Sequence, residues 1–304
     1  MKIIRATHLG ICFGVKDAIA LAQETALRER LTILGDLVHN ETVLTKLRDA
    51  GIQFQDHPDG VKTPTAMITA HGTSERALKT ARNRGLKIVE ATCPLVHFAH
   101  RNLKHLVGQG FHPVVIGRRD HVEVLGLIGD LDEFDLILTG EDVAKLSERR
   151  RFGVIAQTTQ PIEKVRQLVE CVRGRFPSSE VRFADTVCQP TKQRQNAAVE
   201  LAQRCDVVVV IGGAHSNNTR ELVNTCSQFC ARVYHVQTAQ DLCGQWFSDT
   251  DTVGITAGTS TPDVVISEVA AELESYSPNT DQIDVNQTRK LARLQTSLVP
   301  NQVS

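Results

Sequence analysis

The sequence predicts an α/β protein made of three small units with parallel sheets around one central site. First, apolar runs such as TAMITA, HPVVIG, DVVVVIGG and DTVGITAG are short, rich in Val and Ile, and end in Gly or another small residue, as buried parallel strands do. Second, these runs alternate with helical patterns, which implies right-handed crossovers. Third, Cys12, Cys93 and Cys188 each stand between a predicted strand and a predicted helix, and they divide the chain into comparable thirds.

The elements follow in chain order from these patterns. Pro262, after two hydroxyl residues, suits the first turn of the last helix. The predicted strands are residues 2–5, 31–34, 66–70, 86–90, 112–117, 135–138, 152–156, 181–184, 206–211, 232–236 and 252–256. The predicted helices are residues 15–27, 41–50, 74–84, 95–109, 121–130, 160–175, 190–204, 218–230 and 262–274.

This order of elements predicts how the chain divides. The first strand and first cysteine are expected to pack with the third unit, and the polar C-terminal segment to form a flexible tail or a flap over the site. The predicted division is residues 1–13 for the N-terminal strand, 14–95, 96–190 and 191–276 for the three α/β units, and 277–304 for the tail.

Composition excludes several classes of function. The 304 residues carry a formal net charge of -1, which gives no general reason to expect a nucleic-acid or membrane surface. The aromatic content of 4% is too low for base-stacking platforms. No apolar stretch approaches the roughly 18–20 residues needed to span a bilayer, and the N-terminus lacks the apolar core of a signal peptide. We therefore expect a cytoplasmic protein.

The three repeated cysteines are the strongest chemical signal in the chain. Thiols at strand ends, far apart in sequence, suggest three ligands that converge on one centre, and thiolate suits zinc or an iron–sulfur cluster. Three protein ligands would leave one metal position open for substrate. We interpret the five other cysteines as small buried core residues, with one pair four residues apart on a single helix face: Cys171, Cys205, Cys226, Cys230 and Cys243.

Four polar turns predict an anion site. Each precedes a predicted helix, where free N–H groups and the helix dipole attract negative charge. Plain helix capping explains any one of these turns, but four of them together with two histidines favour a phosphate or diphosphate pocket. No Walker-type or GxGxxG motif competes. The candidate residues are His39, Asn40, His71, Thr73, Ser74, Ser216, Asn217, Asn218, Thr219, Thr259, Ser260 and Thr261.

A second candidate group lies in the middle third. His121 and Glu123 stand two apart in DHVEVLG, and a solvated loop pair explains this spacing equally well. A carboxyl that is desolvated near a metal would instead be a suitable proton donor. Gln157, Thr158 and Thr159 end a predicted strand and could supply hydrogen bonds.

Nine motifs, in order, carry a family resemblance over about residues 1–275. They are LGICFGVKDAI, GDLVHNETV, AHGTS, EATCPLV, HVEVLG, AQTT, DTVCQPTKQRQ, GGAHSNNT and TAGTSTPD. Together they resemble the 4-hydroxy-3-methylbut-2-enyl diphosphate reductase family, iron–sulfur enzymes of the last step of the non-mevalonate isoprenoid pathway. The resemblance implies a pseudo-threefold trefoil around one 4Fe-4S cluster held by Cys12, Cys93 and Cys188, with the fourth iron open to substrate.

The resemblance also implies roles for the other site residues. Glu123 matches the acid that delivers a proton, and Thr158 the hydroxyl that positions it and the substrate alcohol. The diphosphate contacts and pocket residues of the family match His39, His71, His121, Ser216, Asn218 and Ser260. The implied reaction is a two-electron reductive dehydroxylation of an allylic diphosphate to isopentenyl and dimethylallyl diphosphates, with ferredoxin or flavodoxin as electron donor.

The chain departs from the family pattern at Ile11, Pro190, His215 and Asn217, none of which removes a predicted ligand or the acid. Two other functions stay open. One is a metal-dependent hydro-lyase acting on a phosphorylated small molecule, which needs no external electrons. The other is a cluster-bearing sensor that holds a diphosphate without turning it over.

Overall fold

The computed structural model describes residues 1–276, and these contain three sheets, each with four parallel strands. The predicted tail or flap at 277–304 lies outside the described residues. The first sheet contains β2 (Leu31–Leu34), β3 (Gln53–Gln55), β4 (Thr65–Ile68) and β5 (Lys87–Glu90). The second contains β6 (His112–Ile116), β7 (Asp135–Ile137), β8 (Arg151–Ala156) and β9 (Glu180–Phe183). The third contains β1 (Lys2–Arg5), β10 (Val207–Ile211), β11 (Arg232–Val236) and β12 (Thr252–Ala257).

The three sheets share one topology. Their strand orders are β3-β2-β4-β5, β7-β6-β8-β9 and β11-β10-β12-β1. The N-terminal strand therefore closes the third sheet, where Lys2 pairs with Thr252 and Arg5 with Ile255. The α/β class and the threefold repetition predicted from the sequence are confirmed, while the residue numbers of the predicted unit boundaries stay a prediction.

Helices cover the sheets as the alternation predicts. Their bounds are α1 (Phe13–Arg28), α2 (Glu41–Asp49), α3 (Glu75–Asn83), α4 (Pro94–Gly108), α5 (Val122–Ile128), α6 (Gly140–Ala144), α7 (Ile162–Arg175), α8 (Gln189–Ala202), α9 (Asn217–Ser227) and α10 (Asp263–Ser275). Asn40, Ser74 and Ser216 cap α2, α3 and α9, because each side chain accepts a hydrogen bond from a backbone N–H of the first turn. Pro262 stands one position earlier than predicted, at the N-cap of α10.

One strand and one α-helix of the described chain were not predicted. Strand β3 is only three residues long and reads QFQ, so it lacks the apolar run by which strands were identified. It lies at the edge of its sheet, where short polar strands are common. Helix α6 is a single short turn, and its capping box between Thr139 and Asp142 was the local signal that identifies it.

The inner strands of each sheet form the core. Every residue of Val207–Ile211 is buried, and strand β12 beside it is buried except at its first residue. Apolar side chains cover both faces of the second and third sheets, which explains why their sequences are continuous rather than alternating. Within residues 1–276, no helix is both long and apolar enough to cross a membrane.

The interpretation of the remaining cysteines holds in part. Cys226 and Cys230 are buried in the third unit, although Cys230 lies beyond the end of α9 rather than on it. Cys205 and Cys243 are half-buried. The core interpretation of Cys171 is wrong, because that thiol is exposed on α7.

Candidate active site

Three cysteines occupy equivalent positions in the three units. Cys12, Cys93 and Cys188 are the N-cap residues of α1, α4 and α8. None of the three side chains is used for capping. The thiols thus stand at the positive ends of three helices, where a thiolate is stabilised, and Cys188 Sγ also lies 3.1 Å from the Thr191 hydroxyl. The shared position predicted from the sequence is confirmed.

A backbone hydrogen bond fixes each cysteine to a polar turn. Each cysteine follows an edge strand, and the turn follows the strand beside it in the sheet. The N–H groups of Cys12, Cys93 and Cys188 donate to the carbonyl oxygens of Thr259, Ala70 and Thr158 at 2.9, 3.0 and 3.0 Å, in that order. Each bond lies beyond the carboxyl ends of the two paired strands and fixes the position of the cysteine relative to the turn.

The three turns bring the thiols into one region. The second residue of α1, Gly14, packs so closely on Cys93 that a methyl group there would lie 2.5 Å from its Sγ. Burial raises the pKa of Cys188 to about 11 and raises that of Cys93, and negative charge on Cys12 and Glu123 adds to both shifts. Without a cationic partner, these thiols resist ionisation. In the described chain, no group of three or more His, Cys, Asp or Glu residues is arranged to hold a single metal ion.

Glu123 is a buried acid connected to the third cysteine. The side chain is 1% exposed. Its Oε1 accepts a hydrogen bond from the backbone N–H of Thr158 at 2.6 Å, and its Oε2 accepts one from the Thr158 hydroxyl at 2.9 Å. Because the Thr158 carbonyl accepts from Cys188, one residue joins the acid to the thiol. Burial raises the pKa of Glu123 to about 7, against the opposing effect of both Thr158 bonds. The interpretation as a solvated loop pair is wrong.

Three histidines pack together beside this acid. The rings of His39 and His71 stack with centroids 4.2 Å apart, and that of His121 meets them edge-on at 5.1 and 5.6 Å. Burial lowers the pKa of His39 to about 4, that of His121 to about 3 and that of His71 well below its usual value. Both ring nitrogens of His39 and Nδ1 of His71 are buried without a hydrogen-bond partner. Unpaired buried nitrogens in a cavity are suited to a polar ligand.

Side chains from the third unit complete this cavity. Asn217 donates to the backbone oxygen of Thr159 at 3.3 Å, and its own Oδ1 has no partner. Asn218 accepts from the N–H of Thr259 at 2.9 Å and leaves its Nδ2 unpaired. The hydroxyl of Ser260 donates to the His39 carbonyl at 3.2 Å. The cavity is lined by Val15, Val38, His39, His71, His121, Thr159, Ser216, Asn217, Asn218, Thr259 and Ser260.

Helix capping and pocket formation coincide at Ser216, one of the three capping residues. Ser216 caps α9 and also lines the cavity, whereas Asn40 and Ser74 only cap their helices. Thr158 is hydrogen-bonded to Glu123 and is not among the residues that line the cavity, whereas the neighbouring Thr159 lines it. His215 is exposed outside it.

Contacts between units, which the sequence did not reveal, hold the parts of the site together. Asp130, just past α5, accepts hydrogen bonds from the N–H groups of Glu75 and Arg76 at 2.8 and 2.9 Å and so caps α3 from another unit. Gly126 allows α5 to approach the backbone of Thr73, because a methyl group there would lie 3.2 Å from its Cα. The helix bearing Glu123 is thereby fixed to the turn bearing His71.

Comparisons with known proteins agree with this geometry. The family model described as LytB protein matches residues 3–274. The chain is 38% identical over 277 residues to the 4-hydroxy-3-methylbut-2-enyl diphosphate reductase of Trichlorobacter lovleyi, covering 90% of this chain and 98% of that protein. It is 34% identical over 281 residues to the protein of the same name from Aquifex aeolicus, with 90% and 96% covered.

Two solved structures are also similar. One is a structure of (E)-4-hydroxy-3-methyl-but-2-enyl diphosphate reductase, described as the terminal enzyme of the non-mevalonate pathway, with 34% identity, a TM-score of 0.66, and 90% and 99% of the two chains covered. The other is the E-1-hydroxy-2-methyl-but-2-enyl-4-diphosphate reductase from Plasmodium falciparum, with 25% identity, a TM-score of 0.84, and 91% and 89% covered.

The raised pKa of Glu123 predicts a pH dependence of stability. The folded chain binds this proton more tightly than the unfolded chain, whose ordinary value is 4.5, so the stabilisation is complete below that pH and is lost as the pH rises through about 7. As the pH rises between these limits, the free energy of unfolding of Glu123→Gln should increase by on the order of 3 kcal/mol relative to that of the unmodified protein. Denaturant unfolding at a series of pH values measures this gain. The exposed Glu163→Gln is the control, and parallel curves for Glu123→Gln and the unmodified protein would contradict the assignment.

Proposed function

The chain belongs to the LytB protein family, and we propose that it is an oxidoreductase that converts 4-hydroxy-3-methylbut-2-enyl diphosphate to isopentenyl and dimethylallyl diphosphates in non-mevalonate isoprenoid biosynthesis. The observation that carries the proposal is the connection through Thr158. It joins a buried, protonatable carboxyl to one of three converging thiols, at the edge of a cavity with unpaired histidine and asparagine atoms.

The three cysteines fit an iron–sulfur cluster, on which the LytB family depends. Thiolates are the ligands of such clusters. These three thiols stand at helix N-termini, and none of them caps its helix. The raised pKa values of Cys93 and Cys188 mean that ionisation of these two thiols needs a cationic partner, which cluster iron would provide. We propose one 4Fe-4S cluster held by Cys12, Cys93 and Cys188. When bound, it would supply electrons singly and offer an open iron for the substrate's alcohol oxygen.

The cavity of histidines suits the diphosphate. His39, His71 and His121 are neutral in the free protein, so each offers an N–H donor without a fixed positive charge. A bound polyanion would raise the pKa of these rings by direct charge attraction. Additional hydroxyl and amide groups come from Ser216, Asn217, Asn218 and Ser260. Anchoring the diphosphate here would hold the small substrate with its hydroxyl directed to the thiols.

Glu123 is placed to donate the proton that the reaction needs. Hydroxide is a poor leaving group, and protonation allows the substrate oxygen to leave as water. A carboxyl with a pKa of about 7 is about half protonated at neutral pH and can readily release its proton. The overall reaction consumes two electrons and two protons, one proton entering the water and the other the new C–H bond. Thr158 positions the carboxyl through two hydrogen bonds.

The electron donor and the location extend this proposal. The reaction needs external electrons, and ferredoxin or flavodoxin stays the predicted donor. The cytoplasmic location also stays a prediction.

The direct test is anaerobic analysis of the purified protein. We expect about four irons and matching sulfide per chain. The electron paramagnetic resonance spectrum should change when hydroxymethylbutenyl diphosphate is added, and dithionite with methyl viologen should then yield five-carbon diphosphates. Zinc in place of iron would favour the hydro-lyase, and a cluster that binds the diphosphate without turnover would favour the sensor.

Replacing one cysteine tests the ligand assignment. Cys93→Ser should lose the cluster and reduce turnover more than about 100-fold, because a hydroxyl is a poor substitute for a soft thiolate. Iron content and product formation measure both effects. Cys171→Ser is the matched control, since that thiol is exposed on α7, and it should behave as the unmodified protein. Substantial turnover by Cys93→Ser would remove it from the ligand set.

Replacing the acid separates proton delivery from binding. Glu123→Gln keeps one oxygen to accept from the Thr158 N–H, and its NH2 group can donate to the Thr158 hydroxyl, but it cannot donate a carboxylic proton. The cluster and the substrate-induced spectral change should persist while turnover falls by about 100-fold or more. The exposed Glu163→Gln should leave turnover unchanged. Unaltered kinetics in Glu123→Gln would exclude this residue from the mechanism.

A further inference from the structure

Arg194 is a buried cation with an unusual set of partners. It lies on α8, the helix that begins at Cys188, and is 7% exposed. Within residues 1–276, the hydrogen bonds of its guanidinium all go to backbone carbonyls and it forms no ion pair with a carboxylate. A buried charge is costly without a counter-charge, so this arrangement calls for a source of negative charge nearby.

Its partners connect the guanidinium to the backbone beside two of the cysteines. Nε and Nη2 donate to the carbonyl of Gly10 at 3.0 and 2.6 Å, and Nη2 also reaches that of Ile11 at 3.3 Å. These carbonyls immediately precede Cys12. Nη1 donates at 3.0 Å to the carbonyl of Pro190, in the first turn after Cys188. Arg194 thus bridges the turn that carries the first thiol and the helix that carries the third.

The backbone at Gly10 is shaped for this contact. Its φ of +74° is left-handed, and a side chain there would collide with Ile266, the nearest atom lying 2.7 Å from the added methyl group. The turn can therefore present its carbonyl to the guanidinium. Burial lowers the pKa of Arg194, and negative charge on Cys12 and Cys188 acts in the opposite direction. A guanidinium nonetheless stays protonated in proteins.

We propose that Arg194 is a positioning residue that fixes the Cys12 turn against α8 and supplies the positive charge that balances the anionic thiolates of the cluster. The proposal rests on the function proposed above. Net charge near a cluster is one of the factors that set its reduction potential. A fixed cation at this position favours the state with one more electron, so Arg194 makes the cluster easier to reduce.

Two variants separate the charge of Arg194 from its role in holding the Cys12 turn against α8. Arg194→Lys keeps the charge but loses the planar fork that reaches several carbonyls, whereas Arg194→Gln removes the charge and keeps a short donor. Arg204→Gln is the matched control, because it removes the same charge from an exposed position just past the end of the same helix. The experiment is an anaerobic redox titration of the four holoproteins, followed by electron paramagnetic resonance, with iron content measured on each.

The expected result is a more negative midpoint potential for Arg194→Gln, with Arg194→Lys and Arg204→Gln close to the unmodified protein. If Arg194→Gln fails to bind the cluster while Arg194→Lys binds it normally, the electrostatic role of Arg194 is likewise supported. Equal potentials in all loaded proteins, or the same defect in both Arg194 variants, would overturn the electrostatic role. An unmodified protein without an iron–sulfur cluster would instead refute the proposed function, so the two failures are distinguishable.

Discussion

Three backbone hydrogen bonds set the geometry on which the site depends. Each sheet ends with an edge strand followed by a cysteine, and the N–H of that cysteine donates to the turn after the neighbouring strand. In the first unit the bond follows directly on the bond from Ala91 to Ile68, and in the second the Thr186 hydroxyl bonds Ala156 before the bond from Cys188. Repetition of the bond in three sheets places three thiols at equivalent positions. Parallel sheets collect functional groups at their carboxyl ends, and three such ends meet here.

Exclusion of water explains most of the electrostatics of the site. Burial is the largest cause that lowers the pKa of His39, His71 and His121, with neighbouring positive charge adding to it, and burial raises the pKa of Glu123. Acid and bases therefore all shift toward their neutral forms. A neutral pocket with unpaired polar atoms can receive a charged ligand without first breaking internal ion pairs. The same exclusion of water raises the pKa of the Cys93 thiol. Positive charge at this centre must therefore come from bound metal and, on our proposal, from Arg194.

Close packing between units determines how accurately these groups meet. Glycine permits the approach at several places, among them Gly14 against Cys93, Gly126 against Thr73, and Gly213 against the His39 carbonyl. At Gly213 an added methyl group would lie 2.4 Å from that oxygen. Asp130 adds a polar connection by capping α3 from the second unit. Close backbone contacts, together with the Asp130 side chain, consequently hold the turns that bear the histidines against the helix that bears the acid.

The sequence alone determined the class of fold, the alternation of elements and the three equivalent cysteines, because periodicity and helix-start chemistry are encoded by neighbouring residues. It also identified the polar turns, for which local capping by Asn40, Ser74 and Ser216 was a sufficient signal. Tertiary structure alone decided the burial of Glu123, the exposure of Cys171 and the pairing of the polar strand β3. It also decided the bonds from Arg194 to Gly10 and the capping of α3 by Asp130. Each of these depends on how segments distant in the chain pack against one another, and no local pattern of residues specifies that packing.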